Sequence, residues 1–169
     1  MQDDITKLMI SCIPRLRRYA RALVGDRTDA DDLVQDTMER GWGKLSSWRS
    51  GSDMRAWLFG IMHNLHIDQV RKPTLHTVDL GDDTPVPVVH ATQTHRLEIH
   101  DMQSALETLP AELREVLLLV ALEEMTYEEV AATLRIPAGT VMSRLSRARE
   151  RLRAHMEQRT TISPLKVVK

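Results

Sequence analysis

Thr140, Ser143, Arg144 and Arg147 recur at three- and four-residue intervals near the C-terminus. On a helix that spacing gathers two hydroxyls and two guanidiniums on one face. Such a face can read a duplex: arginine takes a guanine edge bidentately, and hydroxyls serve base or phosphate. Arg149, Arg151 and Arg153 follow as cations suited to phosphate or solvent. A second set, Asn64, Asp68 and Arg71, lies at i, i+4 and i+7, with Lys72 beside it and Trp48 upstream. On a helix Asn64, Asp68 and Arg71 form one polar stripe. A third set is acidic: Asp32, Gln35, Asp36 and Glu39. Bond-making chemistry has little support, because there is no phosphate-binding glycine loop and no nucleophile–base pattern. The carboxylates are expected on helix surfaces. His63 and His66, three apart, could share a metal, but no cysteine or clear third ligand accompanies them. The expectation is no catalytic residue, no metal and no cofactor.

The elements that must carry these sets follow from caps and stripes. Thr126 and Glu129 fit the S/T-x-x-E capping box of a helix start. Tyr127, Val130, Ala131 and Leu134 form one apolar stripe behind it. Arg135-Ile136-Pro137 then breaks the helix, since proline lacks the N–H that continuation requires. A second helix turns Val141, Leu145, Ala148 and Leu152 inward and the hydroxyl and arginine set outward. Its N-terminus, Ala138–Thr140, is also a place for a phosphate. A short helix, a tight turn and a basic second helix describe a helix-turn-helix DNA reader.

Upstream, Ile5, Leu8, Met9 and Cys12 form a short stripe that Pro14 interrupts, as a break or as the first turn of a new helix. Leu16, Tyr19, Ala20 and Leu23 continue it to Gly25-Asp26. Thr28 is the expected cap of the next helix, with Ala30, Leu33, Val34, Thr37 and Met38 inward and the acidic set outward. Residues 41–52, rich in glycine and serine, read as a loop displaying Trp42 and Trp48. Asp53 caps a helix that buries Trp57, Leu58, Ile61, Met62 and Leu65 and ends at Pro73. Residues 74–95 carry prolines and aspartates and read as a flexible linker, spanning roughly 26 Å as a coil. Beyond it Met102, Ala105, Leu106 and Leu109 form a helix, and Pro110 starts another with Leu113, Val116, Leu117 and Val120 inward. No segment alternates with period two. The fold class is therefore all-α, with domains at 1–73 and 96–157 and a disordered tail at 158–169.

Bulk composition agrees. The 169 residues are 42% hydrophobic, enough for two modest cores. The net charge of −1 hides a polarised chain. Residues 96–134 hold two basic and nine acidic side chains, while 135–159 hold seven arginines and two glutamates. Local charge, not the whole-chain sum, sets phosphate contact. The single cysteine excludes an internal disulfide and fits a reducing cytoplasm. No apolar run is long enough to span a membrane, and the N-terminus lacks a secretory pattern.

Three stretches, DADDLVQDTMERGW (29–42), MRAWLFGIMHNLHIDQVRK (54–72) and YEEVAATLRIPAGTVMSRLSRARERLR (127–153), resemble the signature segments of extracytoplasmic-function sigma factors of the bacterial sigma-70 family. The resemblance covers about residues 5–157 in order and spacing, and its wording is similar to that of stress-response members. It implies a transcription initiation factor that binds RNA polymerase core, reads the −10 and −35 promoter elements and helps open the DNA. Asp32, Gln35, Asp36 and Glu39 would then dock on the coiled coil of the polymerase largest subunit. Trp48, Asn64, Asp68, Arg71 and Lys72 would handle the −10 strand. Thr140, Ser143, Arg144, Arg147 and Arg149 would serve the −35 element. An anti-sigma factor is a further implied partner. Two positions depart from the family pattern: Arg135 replaces a common glycine and Met142 a common lysine. The competing reading is a helix-turn-helix regulator that binds an operator without polymerase.

Overall fold

A computed structural model describes the backbone of residues 1–72 and 93–162, and the side chains of 1–72 and 98–159. Every regular element among the described residues is helical. Helices α1 (Gln2–Ser11), α2 (Ile13–Val24), α3 (Arg27–Gly43) and α4 (Met54–Arg71) form one unit, with a 3-10 turn at Leu45–Ser47. Helices α5 (Gln93–Glu107), α6 (Ala111–Ala121), α7 (Tyr127–Leu134) and α8 (Ala138–Ile162) form the second. Most of the expected linker lies outside the described residues, and its last three positions are helical in α5.

Local chemistry sets most boundaries. Pro14 sits in the first turn of α2, where its missing N–H has no partner to lose. Asp53 caps α4 by accepting from the N–H groups of Arg55 and Ala56. The Thr126–Glu129 capping box is complete: the Thr126 hydroxyl accepts from Glu129 N at 3.2 Å, and Glu129 accepts from Thr126 N at 2.8 Å. Arg135 ends α7 at φ 55°, ψ 46°, the left-handed conformation that a side chain disfavours. Glu124 has a positive φ as well, and nothing in the sequence pattern marks it.

Three expectations need correction. The cap of α3 is Asp26, not Thr28: its carboxylate accepts from Asp29 N at 2.9 Å, after Gly25 turns the chain at φ 80°. Residues 41–43 are helix, not loop. Gly41 is buried there because α3 crosses α4 and α1 closely; an added Cβ would meet Leu58 Cδ2 and Met9 Cε at 2.9 Å. Finally, α8 continues past residue 157, and Arg159 pairs with Asp101 of α5 at 2.8 Å, holding the last turns to the body.

The two units are not separate. Their apolar residues form one contiguous core, from Leu16, Tyr19, Leu33 and Phe59 through Val116 and Leu119 to Val130 and Leu145. Tyr19 and Phe59 meet edge-on, with ring centroids 4.8 Å apart. Between the units α2 packs on α5 and α6, and α4 packs on α7. The Arg114 guanidinium donates to Leu23 O of α2 at 2.6 Å and to Leu106 O and Leu109 O of its own unit. It thereby satisfies carbonyls at the ends of α2 and α5, which have no partner inside their helices.

The caps give a stability test with opposite signs. Thr126→Ala should lower stability by about 1 kcal/mol through loss of the cap. Arg135→Gly should raise it by about 1 kcal/mol by relieving the left-handed residue. Urea denaturation of the two variants checks both signs.

Candidate nucleic-acid interface

The acidic set forms one face of α3. Asp32, Gln35, Asp36 and Glu39 are at the surface, and the Gln35 amide donates to Glu39 Oε1 at 3.2 Å. Their neighbours Leu33, Val34 and Thr37 are buried, so the helix stripe leaves this face free for a partner.

The α4 set is divided. Asn64, Asp68, Arg71 and Lys72 lie along one stripe at the surface. Trp48 is turned inward instead: it packs on the core, and its indole Nε1 is buried without a hydrogen-bond partner. Trp42 is the displayed indole, 53% exposed. Trp57 is partly buried against the core, as its place on the apolar stripe implied.

On α8 the inward stripe is as expected, with Val141, Leu145 and Ala148 buried and Leu152 half-buried. Ser143, Arg147 and Arg149 face solvent and Thr140 is half-buried. Ser143 and Arg147 hold one another: the Arg147 Nε donates to Ser143 O at 3.3 Å. Arg144 is not free on the surface. Its side chain is 23% exposed and lies 3.4 Å from the Glu112 carboxylate. Arg149 borders an open groove with Tyr127, Met142 and Arg153.

The structure brings the α4 and α8 sets to one place. A cavity of about 330 Å³ between the units is lined by Arg71 and Arg144 together, with His63, His66 and Glu115 on its polar side. A second cleft sets Asn64, Trp57 and Gly60 against Ala132, Thr133 and Arg135 of the helix-turn-helix. An added Cβ at Gly60 would lie 3.6 Å from Thr133 O, an ordinary contact, so the approach does not depend on the glycine. Both candidate DNA faces therefore border the seam between the units.

The seam is held by carboxylates that the sequence alone places on helix surfaces. Glu123 is 1% exposed and Glu115 4%. Glu123 Oε1 accepts from Arg18 at 3.1 Å, and its Oε2 lies 3.7 Å from Arg15 and 3.9 Å from Arg55. Arg18 and Arg55 also donate to the carbonyls of Leu122 and Glu123. His63 Nδ1 meets Glu115 Oε1 at 2.6 Å across the same seam. A buried carboxylate is tolerated only when paired in this way. His63 is thus held by Glu115, while His66 is buried beside it, and no cluster of three or more His, Cys, Asp or Glu side chains at ligand spacing occurs among the described residues. No helix among them is long and apolar enough to cross a membrane.

An acidic helix face, a second helix with a polar stripe and a helix-turn-helix on a two-unit helical scaffold match the architecture of the sigma class. The family model for the Sigma2 domain of PhyR matches residues 9–63, and that for Sigma-70, region 4 matches residues 99–152. The chain is 37% identical over 155 residues to the ECF RNA polymerase sigma factor EcfG of Rhodopseudomonas palustris, covering 91% of this chain and 83% of that one. The sigma factor RpoE of Bartonella quintana, solved with the anti-sigma factor NepR, superposes with a TM-score of 0.75 at 32% identity. That match covers 91% of this chain and 97% of the other. CnrH, solved with the cytosolic domain of CnrY, superposes at 0.70 with 30% identity, covering 94% and 90%. The chain belongs to the extracytoplasmic-function RNA polymerase sigma factors.

The seam also has a pH signature. Burial lowers the pKa of His66, against an upward pull from Glu115 and with further lowering by His63 and Arg114. Its Nε2 has no hydrogen-bond partner. A folded pKa below the unfolded value contributes stability above about 6.5, lost as pH falls through the folded value. Wild type should therefore lose stability as pH falls below about 6.5, and His66→Gln should flatten that loss. Urea midpoints measured across that range check it.

Proposed function

We propose that this chain directs promoter-specific transcription initiation by bridging RNA polymerase core and two promoter elements. It is not an enzyme, and it acts in the cytoplasm, where the core polymerase is. The α3 face of Asp32, Gln35, Asp36 and Glu39 docks on core. Helix α4 and the loop before it hold the −10 strand through Trp48, Asn64, Asp68, Arg71 and Lys72. Helix α8 reads the −35 element through Thr140, Ser143, Arg144 and Arg147, with Arg149 on phosphate. Residues 1–73 and 96–157 act as the two modules.

The carrying observation is that Arg71 and Arg144 line one cavity. Arg71 and Arg144 cannot each reach a separate promoter element while they line one cavity. The closed arrangement is therefore the resting form, and docking on core draws the units apart to the promoter spacing. Trp48 leaves its inward position in the same step, because an indole packed on the core cannot stack on a base. Arg144 must likewise exchange Glu112 for a base or phosphate. An anti-sigma factor that covers both units would hold the resting form. The related sigma factor RpoE was solved with the anti-sigma factor NepR, and CnrH with the cytosolic domain of CnrY.

A second reading has one observation behind it. Residues 9–63 match a domain named for PhyR, and PhyR of Bartonella quintana is described as an anti-anti-sigma factor. A chain that only captured an anti-sigma factor would crosslink to neither promoter element. The solvent-facing Ser143, Arg147 and Arg149 on α8 favour the DNA-reading role.

Run-off transcription with core polymerase and a genomic promoter library separates these readings. Promoter-specific product is expected from core plus this chain, and DNA binding without core should be weak. Tight duplex binding by the free chain would point to an operator regulator. Arg147→Ala should cost roughly 1–3 kcal/mol at one −35 position if its contact is bidentate. A uniform loss across sequences would instead mean phosphate contact.

A further inference from the structure

Three arginines from two helices converge on one carboxylate at the seam. Arg15 and Arg18 come from α2, Arg55 comes from the first turn of α4, and the carboxylate is Glu123. The Arg15 and Arg18 side chains are about half exposed, while the Glu123 side chain is fully buried. The acid is thus the guest and the guanidiniums are the host. Asp53 offsets one charge at 3.4 Å from Arg55, so the cluster without Glu123 keeps an excess of positive charge. Separation of the units, which the sigma-factor reading requires, removes Glu123 from this host. Three like charges then remain within reach of one point, and they need another anion.

We propose that the Arg15–Arg18–Arg55 cradle is a binding site for a DNA backbone phosphate, which Glu123 occupies as a carboxylate stand-in while the units are closed. A phosphodiester presents two non-bridging oxygens and one negative charge, the same features a carboxylate offers a guanidinium fork. The cradle opens beside the loop before α4 and not on the acidic face of α3. A cleft of about 510 Å³ runs from Arg15 and Arg55 along Ser52 and Asp53, in the loop that also carries Trp48. The docking face lies on a different helix, α3. A strand that runs beside the loop before α4 would bring a phosphate to this cleft, at the N-terminal end of that helix. One carboxylate therefore has two effects: it holds the units closed, and it screens a phosphate site from nonspecific DNA. Opening exposes the site only when the readers on α4 and α8 are also exposed.

This inference rests on the sigma-factor reading, and the experiment keeps the two apart. Wild-type holoenzyme must first give a promoter-specific run-off product; its absence defeats the parent reading. With that product in hand, promoter binding by holoenzyme is measured against salt for wild type and for Arg15→Ala, Arg18→Ala and Arg55→Ala. At saturating core the seam is already open, so these variants report on the cradle alone. Removing one phosphate contact should flatten the slope of log affinity against log salt by roughly 0.7 to 0.9. Core affinity should not fall, since loss of a Glu123 partner favours the open form that core binds. Unchanged slopes overturn the proposal, and so does a loss confined to core affinity, which would assign the cradle to a polymerase carboxylate. In the free chain, Glu123→Gln should strengthen binding to a labelled single-stranded oligonucleotide, and adding Arg18→Ala and Arg55→Ala should reverse the gain. A gain that survives the arginine substitutions also overturns it. Should Glu123→Gln fail to fold, the holoenzyme slopes decide alone.

Discussion

The arrangement of this protein depends on a carboxylate that cannot stay buried without its cations. Glu123 sits where α6 gives way to the helix-turn-helix, and its charge is met by arginines of the other unit. An unpaired carboxylate in that position would cost several kcal/mol, so the seam closes with its partners in register or does not close. Glu115 repeats the logic with His63. Apolar contacts supply the attraction between units, but they are tolerant of sliding. The ion pairs and the Arg114 bond to Leu23 O across the seam add direction.

Closure has a consequence for recognition. The side chains best suited to DNA lie on α4 and α8, and both helices border the seam. Arg144 spends its charge on Glu112, and Trp48 lies against the core. The acidic face of α3 is at the surface, as are Asn64, Asp68, Ser143 and Arg147. Closure therefore withholds particular side chains, Arg144 and Trp48, and not whole faces. Whole-chain charge is uninformative because opposite charges are segregated along the chain, and Glu123 carries the charge pairing of the second unit with arginines of the first.

The departures from family wording acquire physical content in the same frame. Arg135 occupies a left-handed position at the turn, where glycine would be unstrained. Its side chain borders the cleft against Asn64 and Trp57. Met142 is exposed and lines a groove with Arg149 and Arg153. A lysine there would add a cation to that groove; methionine leaves an apolar contact on a face otherwise charged.

Much of the architecture was legible from the chain alone, because it depends on near neighbours. The capping box at Thr126, the Asp53 cap, the Pro14 start and the apolar stripes involve residues two to four apart. The fold class, the helix-turn-helix and the outward acidic face of α3 followed from those periodicities. What sequence could not supply was decided at distances of 52 to 105 residues, as in His63–Glu115 and Arg18–Glu123. Nothing local distinguishes Glu123 from its exposed neighbour Glu124, or Gly41 from a loop glycine. Only packing selects which acid is buried, which glycine lets two helices cross, and which arginine is held by a partner. The tertiary structure thus determined the accessibility of the site, while the sequence determined its chemistry. The physical reason is that side-chain identity is a local property, whereas burial and pairing are properties of the whole fold.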